Sequence, residues 1–157
     1  MASLRPSSVD AADAHVLLEE YFRSREIGFA HQGVEYAIHF PDAGAFEPPA
    51  GVFLVLDDGD APSGCGGIRR LPDGPAGIRY EVKHLYVRET GRGRGWGRML
   101  LDALESYARG WGAAELVLDT HHSLEAAAGL YLSSGFTAVD RYNDNPNATR
   151  WYAKPLA

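Results

Sequence analysis

Residues 91–98 read Gly-Arg-Gly-Arg-Gly-Trp-Gly-Arg, directly after an extended-looking segment, Tyr80 to Val87, and directly before a helical pattern. A strand, a glycine-rich turn and a helix together gather backbone N–H groups and the positive end of a helix dipole around an anion. Glycines let the backbone come close to such a ligand, and arginines add formal charge. The chemistry written here is the binding of a phosphate-bearing ligand. Other reactive side chains carry weaker signals. Cys65 is the one cysteine, set in an apolar strand start, and reads as a small buried residue rather than a nucleophile. It leaves no internal disulfide and no multi-cysteine metal site. His121 and His122 are adjacent, a spacing that rarely chelates one ion, and no metal is expected. His84 is three residues from Glu81, so strict strand alternation sends the two to opposite faces and makes His84 a surface or packed residue.

The elements that must position these residues are legible in outline. Leu4 and Arg5 form a short first strand before Pro6, and a helix starts near Ser8 or Asp10, with a pattern that fades by Arg25. Residues 27–49 mix aromatics, Gly and Pro and hold a short helix or a substrate-facing loop. Residues 51–56, 64–71 and 78–87 form an antiparallel meander, separated by the turns at 57–62 and 72–77. From Gly97 the apolar residues Leu100, Leu104, Tyr107, Ala108 and Trp111 recur at helical spacing, with Gly110 and Gly112 closing the helix. A short apolar strand at 115–119, a helix at 123–134 with Gly135 at its left-handed cap, and strands at 136–142 and 149–154 complete the order. There is no repeat or linker, and residues 1–157 read as one α+β domain.

Three phosphate-binding designs compete for the glycine turn. A Walker A loop ends in Gly-Lys-Ser/Thr, but here Gly97 is followed by Arg98 and Met99. A dinucleotide fingerprint belongs to the first βα unit of a parallel sheet, and here three antiparallel-type strands come first. The third design, Arg-x-x-Gly-x-Gly, is met by Arg92, Gly95 and Gly97. With Leu85, Tyr86 and Val87 before it, and Leu130, Tyr131, Gly135 and Phe136 after it, the chain resembles the GCN5-related N-acetyltransferase (GNAT) family over roughly residues 51–154.

That resemblance implies an acyl-CoA N-acyltransferase fold. A mixed, mostly antiparallel central sheet would be flanked by helices in the order strand, helix (with an optional second helix), three strands, helix, strand, helix, two strands. It implies acetyl-CoA as donor substrate, with its pyrophosphate held by Arg92, Gly93, Arg94, Gly95, Trp96, Gly97 and Arg98. The pantetheine arm would lie along Leu85, Tyr86 and Val87, where that strand splays from strand 115–119. A backbone N–H there would stabilise the oxyanion as an amine attacks. Tyr131 matches the family's usual general acid; transfer from a phenol to a thiolate is uphill by only about 2 kcal/mol in water. Glu81 stands where the family often places a general base. Direct transfer from an alkylammonium to a carboxylate is uphill by about 8 kcal/mol, so Glu81 serves through water, or holds the substrate's charge, or pairs with Lys83 or an arginine. Leu124 departs from the asparagine many members carry seven residues before the tyrosine, which removes one pantetheine contact.

Bulk properties bound the partners. At 157 residues the chain can bury about 70% of its unfolded surface. Its apolar runs are too short to cross a bilayer, and the first residues lack signal-peptide character, so a cytoplasmic protein without membrane partners is expected. A net charge of −6, with arginines concentrated at 88–98, suits a small anionic ligand better than nucleic acid. The resulting expectation is an N-acetyltransferase acting on a small-molecule amine by direct attack in a ternary complex. The acceptor pocket would be built from residues 22–46 and 141–150. A CoA-binding sensor without turnover and a protein lysine or N-terminal acetylase stay open as alternatives. Family members often form homodimers, but no sequence feature marks an interface.

Overall fold

The computed structural model describes residues 1–156. Its elements are β1 (Ala2–Pro6), α1 (Ala12–His31), a 3₁₀ turn (Ala43–Phe46), β2 (Gly51–Asp58), β3 (Ala61–Gly74) and β4 (Gly77–Val87). A second 3₁₀ turn (Glu89–Gly91) leads to α2 (Trp96–Gly110), β5 (Glu115–Thr120), α3 (Glu125–Ser133), β6 (Thr137–Val139) and β7 (Arg150–Pro155). The seven strands make one sheet in the order β1-β2-β3-β4-β5-β7-β6. All pairings are antiparallel except β4 with β5. This is the mixed, mostly antiparallel sheet flanked by helices that the sequence implies. Between α1 and β2 a 3₁₀ turn stands in place of the optional second helix. None of the helices is long and apolar enough to cross a membrane.

Both faces of the meander are covered, which is why residues 52–56 read as one apolar run rather than an alternation. Val52, Leu54 and Leu56 join Ile68, Tyr80 and Leu116 in the core under α2, which presents Leu100, Leu101 and Leu104. Phe53, Val55 and Cys65 face the other way, against Ala14, Leu17, Leu18 and Phe22 of α1.

Strand β4 departs from regular pairing in two places. Its parallel pairing with β5 holds over only Arg79–Glu115, Tyr80–Leu116 and Glu81–Val117. Beyond that the strands part and open a cleft in the sheet. The β3–β4 register also shifts between Cys65 and Gly67, and opposite this bulge His84 adopts φ 58. The extra residue turns His84 to the same side as Glu81 and Lys83, so the alternation argument fails there. His84 packs edge-on to Tyr21 and Phe22 of α1, with ring centroids 5.6 and 5.5 Å away.

Candidate active site

The cleft between β4 and β5 continues into a cavity of about 560 Å³ under α1. Both segments expected to form an acceptor pocket line it: Arg25, Phe29, Tyr36, His39 and Phe40 from the first, and Asn143, Asn145 and Asn147 from the second. Leu85, Leu124 and Tyr131 close the side nearest α3. The two loops are stitched together by Asn147, which accepts from the Ala37 N–H (2.9 Å) and donates to the Ala37 carbonyl (2.7 Å).

The Tyr131 ring is buried, with only 8% of the residue exposed, and packs near Phe136 and Tyr152. Its hydroxyl makes no hydrogen bond among the described residues, so it is free for a ligand. Burial and the neighbouring Tyr21 push its pKa up, while the charge of Arg25 pulls the other way. The phenol therefore stays protonated through the physiological range.

Glu81 is fully buried and does not line the cavity. Its oxygens accept from Arg69 (Nε, 3.0 Å), Tyr142 (Oη, 2.5 Å) and Asn143 (Nδ2, 3.4 Å), with Lys83 Nζ at 3.6 Å. Of the roles open to it, pairing with lysine and arginine is the one the geometry displays. Lys83 also meets Asp119 at 3.1 Å, and Asn143 donates to Asp119 at 2.7 Å. Burial alone would raise the Asp119 pKa, but Lys83 and the asparagine hydrogen bonds outweigh it and hold the group below its usual value. The network ties β4, β5 and the 141–147 loop together under the cavity floor. Sequence reasoning missed Arg69, Asp119 and Tyr142 as parts of this unit, because they join it only across the sheet.

Burial, with Lys83 and Arg69 close by, pushes the His84 pKa down to about 3, so its ring is neutral at physiological pH. The two adjacent histidines separate in role. His121 is buried, lines the cavity and holds Ser123 through Nδ1 (2.7 Å to Oγ), whereas His122 is exposed and holds Thr149 (2.8 Å).

The glycine turn lies outside the cavity, at the start of α2. Gly93 and Gly95 both have φ 79, a left-handed conformation that glycine adopts without strain. Gly91 lies under the Trp96 ring, where a Cβ would come within 2.2 Å of the indole. The N–H groups of residues 93–98 donate to no protein acceptor among the described residues; the first bond of α2 runs from Met99 to Gly95. Six successive free donors at a helix N-terminus are available to an anion. The arginines differ: Arg92 Nε donates to the Val87 carbonyl (3.2 Å), Arg94 lies over Trp96, and Arg98 reaches Ser133 and Ser134 on α3. Leu130 Cδ2 lies 3.2 Å from where a Gly97 Cβ would stand, and the next residue, Tyr131, reaches the cavity. Helix α3 thus joins the donor cradle to the cavity. Leu85 and Val87 pack into the core under α2, Leu85 also bordering the cavity, while Tyr86 packs towards α1.

The model of the acetyltransferase (GNAT) family matches residues 14–136, a span that contains both the cradle and Tyr131. The chain belongs to the GNAT family. An uncharacterized N-acetyltransferase of Schizosaccharomyces pombe is 33% identical over 138 residues, covering 87% of this chain and 82% of that protein. Two solved structures share the fold. A GNAT-family acetyltransferase from Staphylococcus aureus Mu50 is 17% identical over all of both chains, with a TM-score of 0.81. Another from Elizabethkingia anophelis, with acetyl-CoA bound, is 16% identical over 99% of this chain and 98% of that one, with a TM-score of 0.67. As a GNAT protein, the chain is an acyl-CoA-dependent acetyltransferase. The splayed β4–β5 pair and the free N–H groups are the parts of the fold suited to an acyl-CoA.

Proposed function

We propose that this GNAT enzyme transfers an acetyl group from acetyl-CoA to a small amine by direct attack within a ternary complex. The observation that carries the reading is Tyr131, with an unpartnered hydroxyl, on the helix that joins the free N–H groups at the start of α2 to an aromatic-lined cavity. Acetyl-CoA, when bound, supplies an activated thioester. The N–H groups of residues 93–98 hold its pyrophosphate, and the opened edge of β4 near Leu85 pairs with its pantetheine arm. Tyr131 holds the proton that the departing sulfur needs. Glu81 acts indirectly: with its oxygens engaged by Arg69, Tyr142 and Asn143, it fixes the cavity floor while the amine gives up its proton to solvent. A cavity of about 560 Å³ lined by Phe22, Phe29 and Tyr36 matches the size of a small acceptor.

The test is thiol release from acetyl-CoA across amines, amino acids and peptides, with a Tyr131→Phe variant. We expect turnover with small amines and a fall in kcat of about 100-fold in the variant, a general-acid magnitude, with acetyl-CoA affinity retained. An unchanged kcat in that variant would remove Tyr131 from the mechanism. Binding of acetyl-CoA without turnover of any acceptor would convert the reading to a CoA sensor.

A further inference from the structure

One guanidinium in the cavity has no counter-charge. Arg5, Arg69, Arg70, Arg88, Arg94, Arg109 and Arg141 pair with carboxylates, and Arg79, Arg92 and Arg98 donate to carbonyl or hydroxyl oxygens. Among the described residues Arg23, Arg25 and Arg150 pair with no carboxylate and no backbone carbonyl, and of these only Arg25 lines the cavity, where its one polar neighbour is the uncharged Tyr21 phenol. It is half-buried, on the inward side of α1. Its planar face is covered by Tyr21, with Cζ 4.8 Å from the ring centroid, which leaves the edge of the fork for a ligand. The other charges of the cavity are accounted for: Arg69 by Glu81, Lys83 by Asp119 and Glu81. Asp42 is exposed at the rim.

We propose that Arg25 binds the carboxylate of the acceptor, and that the acceptor is an α-amino acid with an apolar or aromatic side chain. This rests on the acetyltransferase reading above and deepens it. A guanidinium fork matches a planar carboxylate in two parallel hydrogen bonds, and a partly desolvated cation in a ligand cavity gains most from an anion brought by the ligand. The pantetheine arm is uncharged, and the diphosphate cradle lies outside this cavity, so the donor brings no phosphate to Arg25. Arg25 is also near enough to Tyr131 for its charge to oppose the upward push of burial and Tyr21 on the phenol. Arg25 and Tyr131 line the same cavity, and an α-amino acid is the most compact acceptor that could serve both, because its nitrogen is on the carbon next to the carboxylate. Phe22, Phe29, Tyr36 and Phe40 give the side chain an aromatic wall.

Matched acceptors test this: phenylalanine and leucine, their carboxamides, and the corresponding decarboxylated amines, assayed by thiol release from acetyl-CoA. Calorimetry follows acetyl-CoA, and separately N-acetylphenylalanine with CoA present. The carboxamides are less basic and hold more free amine at neutral pH, so a preference for the acids cannot come from amine reactivity. We expect the acids to exceed both analogues in kcat/KM by about 100-fold or more. Arg25→Leu should bring each acid down to the level of its carboxamide, mainly through KM, and abolish N-acetylphenylalanine binding. Arg25→Lys should recover part of both. Equal or better use of the analogues that lack the carboxylate would overturn the proposal. So would an equal fall in kcat for every acceptor in Arg25→Leu, which would place the guanidinium at the departing sulfur. If acetyl-CoA binds and amines react but no acid does, this inference fails and the acetyltransferase reading stands. If acetyl-CoA does not bind, both fail.

Discussion

His84 carries the one positive φ among the described non-glycine residues, and it does so inside a buried aromatic cluster. Its Nδ1 is buried without a hydrogen-bond partner, so protonation would add an unmatched charge beside Lys83 and Arg69. The folded ring has its pKa pushed down to about 3, below the 6.5 of a free histidine. The unfolded chain therefore takes up this proton first as pH falls. Stability from keeping the ring neutral is complete above pH 6.5 and declines towards pH 3, by about 1.4 kcal/mol per pH unit for one such group. His121, pushed down by burial and by His122, adds to the same slope. Urea unfolding should show a loss of about 2 kcal/mol or more between pH 6.5 and 5.0. His84→Asn, whose side chain tolerates the left-handed backbone, should lose clearly less over that interval. An identical pH slope in the variant would show that His84 is not the titrating group.

At the level of elements, cradle and core are separable. Gly91→Ala places a methyl group within 2.2 Å of the Trp96 ring at the start of α2, so the indole and the first turn must move. Acetyl-CoA affinity should fall by about 10-fold or more, as two or more N–H donors lose their alignment. Leu104, fully buried on the inner face of α2, offers the contrast. Leu104→Ala should cost about 2–5 kcal/mol of stability in denaturant unfolding and leave acetyl-CoA affinity within twofold. A change in affinity as large as that of Gly91→Ala would mean that α2 transmits core strain to the cradle. The sequence made the cradle legible because its cause is local: positive φ, close approach and helix start are written in consecutive residues. Helix α1 was harder. Its pattern fades by Arg25, yet the helix runs to His31, because its last turns face a cavity rather than a core. Phe29 packs there on Tyr36 and His121, with ring centroids 4.8 and 4.6 Å away, and only the second of these is remote in sequence. The bulge at His84 does leave a trace, since the apolar face of β4 slips by one residue from Tyr80 and Val82 to Leu85 and Val87, whereas the Asn147–Ala37 bonds span 110 residues and leave none.

At the level of the whole molecule, the design is a sheet that pairs normally everywhere except at its one parallel junction. Strands β4 and β5 stay together for three residue pairs and then separate. The network of Glu81, Arg69, Lys83, Asp119, Tyr142 and Asn143 braces the point of separation. The free N–H groups lie on the α2 and α3 side, and the cavity proposed for the acceptor forms on the α1 side. A chain with net charge −6 repels anions at long range, so affinity for an anionic donor must come from short-range hydrogen bonds in the cradle. If the N–H groups of residues 93–98 grip the pyrophosphate of acetyl-CoA, calorimetric titration must separate acetyl-CoA from S-acetylpantetheine, which keeps the thioester arm but lacks the pyrophosphate. Acetyl-CoA should bind at least about 100-fold more tightly, equivalent to about 2.7 kcal/mol. Equal affinities for the two ligands, or no binding of acetyl-CoA, would contradict it.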